Sequence, residues 1–172
     1  MHSLSLAGPE FTALAAELLH TGRVLRFQAH GGSMFPLICH GDVIEVQPVH
    51  PSAIQRGDVV LCYQANGRVL AHRVIRVNRE QEPATVVTQG DALTRADGCI
   101  PVAQVLGRVV AVERRGKRFR LDTAWQRRWS RFWLTLAPLR RWGYRAVVAL
   151  WRKAHHSVPS RRFWHNLQTR RR

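Results

Sequence analysis

From Arg23 to Leu121 the sequence is a series of short apolar runs closed by Gly, Pro or Asn, with no long helical stretch between them. "RVLRFQA" alternates apolar and polar residues, as a half-buried strand does. "DVIEVQPV" is a second run, broken by Pro48 and Pro51. "GDVVLCYQANGRVLAHRVIRV" reads as a hairpin that turns at Asn66-Gly67, a pair suited to the left-handed backbone of a tight turn. "ATVVTQ" and "QVLGRVVAVERRGKRFRL" add three strands, the last two joined across Arg115-Gly116. Strands in succession without crossover helices predict a mainly β, antiparallel fold. One helix precedes them, over about residues 9–20. Pro9 suits a first helical turn, Glu10 lies at the positive dipole end, and Phe11, Leu14, Ala15, Leu18 and Leu19 recur at helical spacing before Thr21-Gly22.

The charge divides the chain at Asp122. Residues 1–122 hold 14 Lys and Arg against all 11 Asp and Glu. Residues 123–172 hold 13 basic residues, no acidic one and all six tryptophans. This predicts a folded domain over 1–122 and a basic, Trp/Arg-rich helical tail over 123–172. In the tail, Trp125, Trp129, Phe132, Trp133 and Leu136 share one side of a helical wheel within about 100°, opposite Arg127 and Arg131.

The first residues do not read as a signal peptide, because they lack a basic leader and carry Glu10 and Glu17. No apolar run approaches the roughly 20 residues that span a bilayer. Cys39, Cys62 and Cys99 are odd in number and widely spaced, which fits reduced thiols in a cytoplasmic protein. No metal-ligand spacing is present, so neither a metal nor another cofactor is expected.

Ser33 follows Gly31-Gly32 and precedes Met34-Phe35-Pro36. Glycines let the backbone turn sharply, and Pro36 stiffens the exit. Such a frame can expose a hydroxyl beside backbone N–H groups, the arrangement an acyl-transfer nucleophile needs. It is also a common structural turn. A base is required as well. The two lysines, Lys117 in "RRGKRF" and Lys153 in the tail, lie in polar surroundings that would leave them protonated. Among nine histidines, His72 stands out because "LAHRVIRV" places it inside a strand, either as a packed strand histidine or as a base.

Five motifs then occur in order: "GGSMFPLICHGDVIEV", "RGDVVLCY", "AHRVI", "TQGDALTRAD" and "LGRVVAV". This series, over about residues 23–113, resembles the signal-peptidase and LexA-like superfamily of serine peptidases. The resemblance implies that fold, with Ser33 in the nucleophile's place and Met34 beside it. Where bacterial signal peptidases and LexA-like proteins carry a lysine base, this chain has His72. That is similar to the endoplasmic-reticulum and archaeal type. Gly90-Asp91 matches that type's Gly-Asp motif, and its supporting acid falls on Asp97, with Asp91 the nearer alternative. Asp42 and Asp58 suit turns and strand starts instead. The family's membrane anchor and DNA-binding domain have no counterpart in residues 1–22. The expectation is therefore the fold and a Ser33–His72–Asp97 endopeptidase site acting on a peptide or protein. The contrasting expectation is a noncatalytic peptide-, membrane- or nucleic-acid-binding module on the same fold.

Arginine with tryptophan suits two surfaces. On anionic lipid, tryptophan sits at headgroup level and arginine meets phosphate. On nucleic acid, arginine meets phosphate and aromatics stack on bases. The Trp face could also pack on the β domain. The anionic membrane surface, engaged by residues 124–153, is the partner expected first. It would make the protein peripheral to the inner face of the membrane.

Overall fold

The computed structural model describes residues 9–63 and 69–121. Helix α1 spans Pro9–His20. Eight strands follow: β1 Leu25–Gln28, β2 Val43–Gln47, β3 Val59–Tyr63, β4 Val69–Asn78, β5 Thr85–Gln89, β6 Cys99–Pro101, β7 Val105–Arg114 and β8 Lys117–Arg120. They form one sheet in the order β1-β2-β7-β3-β4-β5-β6, with β8 also paired to β7. Every pairing is antiparallel. The fold is therefore mainly β with one short N-terminal helix, as the punctuated runs predict.

β3 explains why the sheet needs cover on both faces. Its sequence is "VVLCY", and Val59, Val60, Leu61 and Cys62 are all buried. Side chains alternate along a strand, so one run supplies two cores. Val59 and Leu61 join Ala15 and Leu19 of α1, with Ile44, Val46, Val109 and Val112. Val60 and Cys62 join Ile54, Val74, Val86, Ile100 and Val102 on the other side. Register shifts at Glu45/Val46, Leu61/Cys62 and Val74/Arg76 mark bulges, which bend the strands and let the sheet coil around these cores.

Strand β1 begins at Leu25, two residues after the sequence run does. β6 was not expected; three residues are too few to show a period. The Asn66-Gly67 turn lies outside the described residues, as does the whole tail. Among the described residues no helix is long and apolar enough to cross a membrane.

Leu61 is among the largest fully buried side chains, at 1% exposure. Truncation to alanine removes buried methyl groups and leaves a cavity between helix and sheet. Leu61→Ala should cost about 2–5 kcal/mol in urea denaturation, with the slope of the transition unchanged.

Candidate active site

Ser33 lies in the loop between β1 and β2. Gly31 opens this loop at φ +96°, a conformation that L side chains rarely adopt. The turn then tightens, with Phe35 N–H donating to Gly32 O at 3.2 Å and Ile38 N–H to Met34 O at 3.0 Å. Met34 and Ile38 are buried and fasten the turn to the core below.

The exit of the loop is tied down by a charge pair. Asp42 accepts from the Cys39 N–H at 2.7 Å and from Arg114 Nε and an Arg114 terminal nitrogen, at distances down to 2.7 Å. The same Arg114 nitrogen donates to Pro36 O and Leu37 O. Burial raises the Asp42 pKa. The hydrogen bonds from Arg114 and Cys39, with the Arg114 charge, outweigh it and hold the carboxyl below its ordinary 3.8.

His72 occupies β4, opposite Val60 of β3. It is only 2% exposed, so both ring nitrogens need partners. Nδ1 lies 2.6 Å from Asp97 Oδ2, and Nε2 lies 3.0 Å from Ser33 Oγ. The two contacts fix the tautomer for an ionised Asp97: Nδ1–H donates to the carboxylate, and Nε2 is free to accept from the hydroxyl. Asp97 is itself held. Thr88 Oγ1 donates to the same Oδ2 at 2.7 Å, and the Asp97 N–H donates to Thr88 O at 2.8 Å. Thr88 sits on β5 opposite Val74, and is fully buried. The result is one hydrogen-bonded line: Thr88, Asp97, His72, Ser33.

Asp91 is not an alternative partner for His72. Arg73 Nε and a terminal nitrogen donate to its two carboxylate oxygens at 2.8 and 2.6 Å. Successive strand residues point to opposite faces, so His72 and Arg73 draw Asp97 and Asp91 to different sides of β4. Asp91 instead steadies the Ser33 loop. Its N–H lies 3.4 Å from Met34 Sδ, and the Ala92 N–H donates to Ser33 O at 2.8 Å. Gly90 is required by this approach, because a Cβ there would stand 2.6 Å from Ser33 O.

The remaining carboxylates match turn and strand-start roles. Asp58 accepts from the Gln55 N–H at 2.9 Å and lies 3.7 Å from Arg108. Lys117 is exposed on β8. The three cysteines are free thiols. Cys62 is pushed up to about 12, first by burial and then by the Asp97 charge, with a Thr88 hydrogen bond opposing, so it stays a protonated thiol beside the line. Among the described residues no three His, Cys, Asp or Glu side chains converge as metal ligands. Sequence reasoning missed Thr88, Arg73 and Arg114. Arg73 adjoins a singled-out histidine, but nothing local pairs it with Asp91. Comparisons of the chain with protein-family models, with curated proteins and with solved structures give no match.

The depressed Asp42 pKa makes its pair with Arg114 a source of stability that is complete above the unfolded carboxyl's pKa and is lost as pH falls through the lower, folded value. Asp42→Asn should therefore cost roughly 1.5–3 kcal/mol at neutral pH, the range for hydrogen bonds to a charged group. The gap between variant and parent should shrink in melts taken at successively lower pH below 3.8.

Proposed function

We propose that the chain is a serine endopeptidase of the signal-peptidase-like kind its motif series resembles. The observation that carries this reading is the line from Asp97 through His72 to Ser33, with contacts of 2.6 and 3.0 Å on opposite nitrogens of one buried imidazole. Burial alone asks only that both ring nitrogens be paired; a hydroxyl in a Gly-Gly-Ser turn on one and a Thr88-held carboxylate on the other is the particular pairing that supports a base.

Ser33 Oγ attacks the scissile carbonyl carbon as its proton passes to His72 Nε2. Asp97 holds the Nδ1–H and stabilises the imidazolium, and the Thr88 hydroxyl holds the Asp97 carboxylate in position. The tetrahedral oxyanion is received by backbone N–H groups of the Ser33 turn. The Gly31 N–H is committed to His40 Nδ1 at 3.3 Å and the Phe35 N–H to Gly32 O at 3.2 Å, so neither of these serves that role. The C–N bond then breaks and the His72 proton goes to the leaving amine, which gives an acyl-Ser33 ester. Water adds to that ester with its proton taken by His72, and collapse returns the proton to Ser33 Oγ. The substrate is a peptide in extended form, added along a strand edge.

A serine-directed fluorophosphonate should label the protein at Ser33. Ser33→Ala and His72→Ala should abolish labelling and cleavage while leaving the melting transition cooperative. Asp97→Asn should lower the rate by about 10²–10⁴, the scale of lost base orientation in such sites. Asp91→Asn should lower it less. Full activity in His72→Ala would end the Ser33–His72 reading, and a parent chain that neither labels nor cleaves would leave a binding module on this fold.

The tail supports a second element of the proposal, attachment to an anionic membrane surface. Thirteen basic residues with six tryptophans and no acid suit phosphate headgroups and the interfacial region. Removing residues 124–172 should abolish sedimentation with phosphatidylserine vesicles and leave peptide cleavage in solution unchanged. A parent chain that ignores such vesicles but binds single-stranded nucleic acid, with affinity falling steeply in salt, would reassign the tail.

A further inference from the structure

A concavity lies apart from the Ser33 line and shares no lining residue with it. It has a volume of about 490 Å³ and runs between the Ile54–Arg56 segment and the second half of β4. Its lining brings Arg56, Arg76 and Arg79 together with Ile54, Gln55, Ile75 and Val77. Ile75 is the additional residue of the β4 bulge, opposite the junction of Thr88 and Val87. An extra residue turns the following side chains relative to their neighbours, and here it helps bring Arg76 to the cleft.

Among the described residues no Asp or Glu lines the cleft beside the three guanidinium groups. Among the described residues, no ion pair engages Arg56, Arg76 or Arg79. Arg79 is nevertheless fixed in place, because one terminal nitrogen donates to Ser52 O at 3.0 Å and to Ile54 O at 2.8 Å. Those carbonyls orient the group without neutralising it, and its other N–H donors remain for a ligand. The same domain pairs other arginines with acids: Arg26 with Glu113, Arg73 with Asp91, Arg114 with Asp42 and Arg118 with Glu45. Three unpaired positive charges around one concave surface sum to a field that attracts anions.

Guanidinium forks match phosphate oxygens in paired hydrogen bonds. The volume falls in the range of small-molecule sites, roughly 300–1,000 Å³, and exceeds what one inorganic phosphate fills. We infer that this cleft binds a phosphate group carried on a larger molecule, with Arg56, Arg76 and Arg79 as ligands and the half-buried Ile75 and Val77 against its nonphosphate part. Two sources share that chemistry, a phosphorylated lipid headgroup and a soluble phosphorylated metabolite. The site is independent of the peptidase reading. It also has a path to it: Arg56 precedes Gly57, whose carbonyl accepts from Arg73 at 2.9 Å, and Arg73 holds Asp91 beside the Ser33 loop.

The test uses the full chain with isoleucine methyl groups labelled for NMR, titrated with pyrophosphate. The signals of Ile75 and of Ile54, a core side chain that backs the cleft, should shift and saturate, while those of Ile44 and Ile100, which do not line it, stay in place. Arg56→Gln with Arg76→Gln, both exposed positions, should weaken the fitted dissociation constant at least tenfold and leave the core signals unchanged. Ser33→Ala should bind as the parent does. Phosphatidylcholine vesicles doped with phosphatidylinositol phosphate or, at matched charge, with phosphatidylserine separate the sources. A response of the two cleft methyls to the phosphoinositide alone, lost in the double variant, assigns a lipid headgroup. An equal response to both vesicles, with pyrophosphate still saturating the cleft, assigns a soluble ligand. If neither pyrophosphate nor phosphoinositide moves the cleft methyls, or if the double variant responds as the parent does, the anions bind the tail and the inference falls.

Discussion

A buried imidazole makes demands on its surroundings that a buried leucine does not. His72 has a polar atom at each end of its ring, and neither can be left bare at 2% exposure without a cost of about 1–3 kcal/mol. Both ends are met by segments far away in the chain. Asp97 comes from 25 residues later and Ser33 from 39 earlier. For Asp97 to arrive, the chain after β5 must fold back over Thr88. For Ser33 to arrive, the β1–β2 loop must reach the middle of β4. The folding of both loops is therefore coupled to satisfying one side chain.

The two faces of β4 divide the work. On one, His72 collects Ser33 and Asp97. On the other, Arg73 collects Asp91 and the Gly57 carbonyl. The stretch from Gly90 to Asp97 serves both sides, touching the Ser33 backbone at its start and the imidazole at its end. A rigid strand thus sets the spacing between two loop contacts. Sites built from loops gain their accuracy when strands dictate where the loop ends lie.

The strands were legible because each combines a period of two with a breaker residue, as in "DVIEVQPV" before Pro48 and "ATVVTQ" before Gly90. β6 was not, since Cys99-Ile100-Pro101 offers neither a period nor β-rich length. Ser33 and His72 could be singled out locally, one by its glycines and the other by its apolar flanks. Asp97 was placed through the family resemblance alone, because no local pattern distinguishes it from Asp91; the face alternation that does so needs the register of β4 against β5. Arg114 is a harder case. Its partner lies 72 residues away, and an arginine near a hairpin turn reads as solvated until the fold brings it under the Ser33 loop. Pairings of that range depend on topology, which short windows do not contain.

The position of β7 has a consequence for how the molecule is made. It is the seventh strand in the chain but lies between β2 and β3 in the sheet. Until residues 105–114 arrive, β1 and β2 have no pairing to the β3–β6 portion, and the two cores share no continuous sheet. On the ribosome, Ser33 and His72 both emerge well before this strand, as parts of separate fragments. Joining fragments so distant in sequence carries a loop-closure cost that slows folding. A nascent chain therefore holds every member of the Ser33–His72–Asp97 set for some time without a sheet to unite them. The join between its halves waits for a strand that contributes none of the three.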